Sequence, residues 1–78
     1  MSEAPAPIIG DARGHRCPVP TLRLRRALER AAAGQVVRLI ADDPLARIDV
    51  PHFVRAENFR LLSSVSEGDV LVFEVSRA

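Results

Sequence analysis

One segment of the sequence decides the fold: residues 14–34, GHRCPVPTLRLRRALERAAAG. Its body, residues 21–33, is rich in Leu, Ala, Arg and Glu, which are good helix formers. Two prolines near its start are compatible with a helix, because the backbone N–H groups of a first turn have no intrahelical acceptor. Gly34 supplies a stop. The segment therefore predicts a helix that begins close to Cys17 and ends before Gly34.

The predicted helix has two chemically different faces when residues are placed about 100° apart. The apolar face, expected to lie in the core, contains Pro20, Leu24, Ala27, Leu28 and Ala31. A second arc contains Arg23, Arg26 and Arg30. Val19 and Leu22 are predicted to point outward beside these arginines, which gives an exposed apolar pair flanked by basic groups.

The remaining segments extend the pattern on both sides of this helix. Residues 8–13 and the β-branched run 35–41 predict strands. Two further runs, 60–66 and 69–77, are separated by a turn at residues 67–68, which is the spacing of a β-hairpin.

A second helix is predicted before the hairpin, with Asp49 as its N-cap, Pro51 in its first turn and its end near Asn58. The resulting order is βαβαββ. This order favours an α/β two-layer sandwich, in which both helices cover one face of a four-stranded mixed sheet. The other face is then open to a partner.

Length and composition exclude several classes of function. The chain of 78 residues allows one domain, residues 8–78, after an N-terminal tail over residues 1–7 that we expect to be frayed. All eleven basic residues are Arg, so Schiff-base chemistry is excluded. A net charge of +1 and three Phe without Tyr or Trp provide neither the field nor the stacking platform of a nucleic-acid-binding protein.

The chain also carries no pattern for export or membrane insertion. Residues 1–7 lack the basic and apolar regions of a signal peptide, and no apolar run approaches the roughly 18 residues of a membrane span. A single Cys excludes an intramolecular disulfide and a zinc site built on several thiolates. We therefore expect a cytoplasmic protein whose thiol stays reduced.

Cys17 is the side chain whose position most favours chemistry. A thiolate at a helix N-terminus is stabilised by the helix dipole, and Arg13 and Arg16 add positive charge. Pro18 and Pro20 remove two N–H donors, so the activation should be moderate, but they stiffen the turn that presents the sulfur. An isolated Cys is as often a buried packing residue, and this alternative stays open.

The other polar candidates have simpler explanations. We expect His15 to be a solvated loop residue and His52 a surface residue of the second helix. Asp42, Asp43 and Asp49 could together bind a hard cation, but an Asp before Pro is a turn former and Asp49 a helix cap. The sequence therefore predicts no metal site.

The segment around Cys17 resembles the Cys-Pro-x-Pro signature of the TusA/SirA family of sulfur-carrier proteins. Residues 41–44 and 49–53 resemble the second recurrent block of that family, and the resemblance covers about residues 8–77. The residues that match the two blocks are Gly14, Cys17, Pro18, Pro20, Asp43, Pro44, Asp49 and Pro51. Family members often have Leu at the position of His15.

The resemblance implies a two-layer sandwich and a sulfurtransferase that works only with partners. Cys17 would accept a sulfane sulfur as a persulfide from a cysteine desulfurase or rhodanese-like protein. It would then relay the sulfur to an acceptor protein, as in tRNA 2-thiouridine synthesis, sulfur oxidation or cofactor sulfuration. No cofactor or metal is needed. Since specificity must come from docking, the predicted partner surface consists of Arg16, Val19, Leu22, Arg23 and Arg26.

Two other hypotheses remain at this point. In the first, the domain is a non-catalytic interaction or regulatory module in which Cys17 is a packing residue. In the second, which is weaker, the protein is a self-contained reductase or hydrolase. A domain of this size offers little room for the cleft and oxyanion hole that such an enzyme requires.

Overall fold

The computed structural model describes residues 7–16, 19–32 and 34–77. The elements in this part of the chain are β1 (Ile8–Asp11), α1 (Val19–Arg30), β2 (Val36–Ala41), α2 (Ala46–Ala56), β3 (Arg60–Glu67) and β4 (Val70–Ser76). The predicted order βαβαββ is confirmed. The predicted tail lies outside the described residues except for Pro7.

The strands form one mixed sheet in the order β1-β2-β4-β3. β1 pairs with β2 in parallel, with Ile9 opposite Arg38. β4 lies antiparallel between β2 and β3, and the β3 pairing shifts register between Leu61 and Ser63. The two loops that follow β1 and β2 therefore lie at the same edge of the sheet, because the carboxyl ends of parallel neighbours coincide.

Both helices pack on one face of this sheet, as the sequence predicted. Leu24 and Leu28 of α1 are fully buried, and the predicted apolar arc is confirmed as the core face. The side chains that complete the core come from α2 (Val50, Val54), β2 (Val37, Leu39, Ala41) and β4 (Leu71, Phe73, Val75). Alternation along β4 places every second side chain in this core.

The opposite sheet face carries a polar cluster on three adjacent strands. Arg38, Glu74 and Ser63 are cross-strand partners. The Arg38 Nη2 donates to Glu74 Oε2 at 2.9 Å, and the Ser63 Oγ donates to Glu74 Oε1 at 2.9 Å. The bond from Arg38, which has the larger effect, and the bond from Ser63 lower the pKa of the Glu74 carboxyl below its ordinary value.

The predicted start of α2 was wrong. Asp49 is not its N-cap but lies in its first turn; the N-cap is Leu45, four residues earlier, and the helix begins at Ala46. The reason is the turn formed by Asp43: its Oδ1 accepts the Leu45 N–H at 3.1 Å, and its backbone carbonyl accepts the Ala46 N–H at 2.9 Å. Pro51 lies inside the helix as a result.

Other element ends differ from prediction by a few residues. α1 ends at Arg30, and Gly34, at φ +81°, follows in the left-handed conformation expected of a stop. β1 ends at Asp11, because its side chain accepts the Arg13 N–H and begins a turn. The hairpin turn is at Gly68-Asp69, one residue later than predicted. None of the described helices is long and apolar enough to span a bilayer.

The contrast between two leucines of α1 provides a test of the fold. Leu28 is fully buried, so Leu28→Ala should lower the free energy of unfolding by about 3 kcal/mol. Leu22 is 56% exposed, and Leu22→Ala should lower it by less than about 0.5 kcal/mol. Urea unfolding followed by circular dichroism measures both values; equal losses would contradict the packing described.

Candidate functional site

The site predicted around Cys17 lies between β1 and α1. Cys17 and Pro18 themselves lie outside the described residues. The structure describes the turn that leads to them, residues 12–16, and the helix that follows at Val19. The Val19 N–H donates to the Arg16 carbonyl at 2.9 Å, which joins the end of this turn to the start of the helix.

The turn before Cys17 is held by local hydrogen bonds. The His15 N–H donates to the Ala12 carbonyl at 3.2 Å. Gly14 has a φ of +82°, which L side chains rarely adopt, and no atom lies within 4 Å of the place its Cβ would occupy. Backbone conformation rather than lack of space therefore favours glycine here.

Arg13 and Asp11 form an ion pair on the surface of this turn. Arg13 Nη2 lies 2.8 Å from Asp11 Oδ2, and Arg13 Nε donates to Asp11 Oδ1 at 3.0 Å. The side-chain bonds from Arg13, followed by the bond from its backbone N–H, lower the pKa of Asp11 to about 2. The same pair raises the pKa of the Arg13 guanidinium.

A second loop reaches the turn from the end of β2. Asp42, the first residue after this strand, accepts the Gly14 N–H with both carboxylate oxygens, Oδ1 at 2.9 Å and Oδ2 at 3.0 Å. Arg16 Nη1 lies 3.6 Å from Asp42 Oδ1. Asp42 therefore does more than form a turn. Among the described residues no group of His, Asp or Glu could hold a metal ion.

The two loops border a groove of about 390 Å³ at this edge of the sheet. Residues that line it include Arg16, Asp42, Pro44, Arg47 and Asp69. Two guanidinium and two carboxylate groups thus share one groove. Asp43, by contrast, is only 3% exposed and turns inward to support the start of α2.

The docking residues predicted on α1 are mostly on the surface. Leu22, Arg23 and Arg26 are exposed, as is Arg16 in the preceding loop, but Val19 is half-buried instead of pointing fully outward. Pro20 is buried in the core. Val19 is the first residue of α1, where side-chain periodicity alone predicted an outward position.

Arg23 differs from Arg26 and Arg30, the other two arginines of its arc, in having a partner. Its Nη2 lies 3.4 Å from His15 Nε2, so the helix side chain reaches back to the loop before Cys17. Within the part of the chain that the structure describes, Arg26 and Arg30 form no ion pair. His52 is exposed on α2, as the sequence predicted.

Two features of the helical layer were not predicted from the sequence. Leu45 and Ile48 are exposed apolar residues at the start of α2, which the wrong helix boundary had hidden. Arg25 of α1 lies 2.6 Å from Glu57 Oε1 through its Nη2, and its guanidinium stands 5.2 Å from the centre of the Phe53 ring. Arg25 had no assigned partner in the sequence, but it joins the two helices.

Comparison with known proteins places these features in context. Residues 8–77 match the family model described as sulfurtransferase TusA. A crystal structure of a SirA-like protein from Desulfitobacterium hafniense is similar to this chain, with a TM-score of 0.75 and 26% sequence identity. The similarity covers 87% of this chain and 93% of that protein.

The ion pair of the turn has a measurable pH signature. Asp11 should titrate near its pKa of about 2, and Arg13→Ala should return the value towards 3.8. Because the folded-state pKa is depressed, the pair contributes stability above about pH 4 that is lost as the pH falls through about 2. Carbon-13 NMR of the Asp carboxyl groups measures the shift. Arg60→Ala, on the far edge strand, is the control and should leave the Asp11 titration unchanged.

Proposed function

The chain belongs to the TusA family of sulfurtransferases, and from this membership we propose that it carries sulfane sulfur on Cys17 between a donor protein and an acceptor protein. The observation that supports the proposal most directly is the family match over residues 8–77, which includes the only thiol of the sequence. The donor is expected to be a cysteine desulfurase or a rhodanese-like protein. The acceptor belongs to a sulfur relay such as tRNA thiolation or sulfur oxidation.

The proposed transfer requires no net oxidation or reduction. The Cys17 thiolate attacks the terminal sulfur of the donor persulfide; the new S–S bond forms as the donor's S–S bond breaks, and the donor leaves as a thiolate. In the second transfer an acceptor nucleophile attacks the outer sulfur of the Cys17 persulfide and releases the Cys17 thiolate. The proton lost when Cys17 ionises goes to solvent. We expect the reaction in the cytoplasm, where such a thiol stays reduced.

Docking must supply the specificity, because a lone thiolate cannot distinguish one persulfide from another. The described surface beside the Cys17 loop contains Leu22 and three exposed arginines, Arg16, Arg23 and Arg26. Arg26 has no ionic partner among the described residues, so its guanidinium can pair with a carboxylate of another protein. We therefore propose that the partner presents acidic groups around an apolar contact.

The second candidate is a non-catalytic interaction domain. The sheet face opposite the helices favours it, because Ile9 and Val65 are exposed there around the Arg38–Glu74 pair. The reactivity of the native thiol distinguishes the two functions. A carrier needs a Cys17 that reacts rapidly with iodoacetamide near neutral pH, whereas a packing Cys reacts at an appreciable rate only in urea.

Persulfide loading is the direct test of the carrier function. The purified protein is incubated with a cysteine desulfurase, its pyridoxal phosphate and cysteine, and its intact mass is measured with and without reductant. We expect a gain of one sulfur atom that reductant removes. Cys17→Ser should show no gain. If rhodaneses and small persulfides also fail to load the wild-type protein, the interaction domain becomes the better assignment.

Charge reversal tests the docking surface. Arg23→Glu with Arg26→Glu should slow sulfur loading by roughly tenfold or more, because like charges then face the partner, and the loss should shrink at high salt. Both side chains are exposed, so the fold should persist. Arg60→Glu, exposed on the opposite edge strand, is the matched control. Equal rates for all three proteins would exclude this surface as the docking site.

A further inference from the structure

Asp42 connects the turn that precedes Cys17 to the centre of the sheet. It lies 28 positions from Gly14 in the chain, yet it accepts the Gly14 N–H with both oxygens, at 2.9 and 3.0 Å. β2, which ends immediately before Asp42, pairs with both β1 and β4. The turn is therefore attached to a strand paired on both sides, by a contact outside the regular ladder.

The hydrogen bond to Gly14 is the stronger of the two contacts that Asp42 makes. A bond from a backbone N–H to a carboxylate is charge-assisted and short. The Arg16 pair is longer, at 3.6 Å, and the Arg16 side chain is 71% exposed, so solvent screens most of its attraction. Removal of the carboxylate would therefore act mainly by releasing the Gly14 amide.

The neighbouring Asp43 has a different role. Asp43 forms the turn into α2 through the Leu45 N–H, whereas Asp42 makes no contact with that helix start among the hydrogen bonds described. The two adjacent carboxylates thus have separate roles. Asp43 begins α2, and Asp42 holds the turn between β1 and α1.

We propose that Asp42 is a positioning residue for sulfur transfer: its bond to the Gly14 amide fixes the turn from which Cys17 follows three residues later. This inference rests on the proposed carrier function. Gly14 adopts a left-handed backbone, at φ +82°, and glycine moves easily between conformations when it is not held. Release of its amide allows the turn to sample other conformations, and the fraction of docked complexes with a correctly placed thiol falls.

The same groove provides a matched control. Asp69 lines the groove from the turn between β3 and β4. Within the described residues, Asp69 makes no hydrogen bond or ion pair with the turn before Cys17. Asp69→Ala therefore removes the same charge from the same groove without touching Gly14. Asp42→Asn keeps an oxygen that can accept the Gly14 N–H but removes the charge.

The experiment compares these variants with Asp42→Ala in two measurements. Hydrogen exchange of the Gly14 amide, followed by NMR, reports the bond itself. Sulfur loading from a cysteine desulfurase reports the function. Asp42→Ala should speed Gly14 exchange and lower the maximal loading rate by roughly tenfold, with little change in the half-saturating concentration, because the docking residues on α1 are intact. Asp42→Asn should retain most of the protection of the Gly14 amide and most of the loading rate. Asp69→Ala should match the wild type in both measurements.

Alkylation by iodoacetamide, at a pH where the thiol is fully ionised, separates positioning from damage to the fold. A small reagent needs no docked geometry, so its rate should change less than about twofold in Asp42→Ala. Equal loading defects in the Ala and Asn variants would indicate a charge effect and overturn the proposal, as would a wild-type loading rate in Asp42→Ala. If the Gly14 amide exchanges at the same rate in Asp42→Ala as in the wild type, and the wild type accepts sulfur, the Asp42 contact is overturned but the carrier function is not. A wild type that accepts no sulfur overturns the carrier function, and the positioning role with it.

Discussion

The parallel pairing of β1 with β2 is the constraint on which the rest of the site depends. Parallel neighbours have their carboxyl ends at one edge, so the loop into α1 and the loop into α2 must meet there. The Asp42 carboxylate meets the Gly14 amide because of this pairing. An antiparallel pair would place the two loops at opposite ends of the sheet, and Asp42 could not reach the Gly14 amide.

The sequence predicted those features of the fold that depend on residues close together in the chain. Side-chain periodicity decides which face of a helix is buried, so Leu24, Leu28 and Ala31 of the first helical segment were assigned correctly to the core. The order of elements and the two-layer architecture follow from the same local patterns. These properties depend on neighbours within a few residues, which a sequence displays directly.

The errors occurred where local signals competed or where contacts were distant. Asp43 and Asp49 each lie one or two residues before a Pro. The helix begins shortly after Asp43, because the Asp43 side chain accepts the Leu45 N–H. Val19 is half-buried at the first position of α1, where side-chain periodicity predicted an outward position. The Asp42 contact spans 28 positions, and no spacing rule could have found it.

The side chains that form the core and the side chains proposed for function lie in different parts of this small domain. The buried apolar side chains lie between the helices and one sheet face, whereas the turn before Cys17 and the arginines of α1 lie at the sheet edge and on the outer helix surface. Substitutions at the edge thus cost little folding energy, because exposed side chains contribute little to the core. Under the proposed function, the docking charges can therefore change while the scaffold stays the same. The backbone before Cys17 can vary less freely under the proposed function, because each partner would meet the same turn, and the structure holds this turn through the bond from the Gly14 amide to Asp42 at the end of β2.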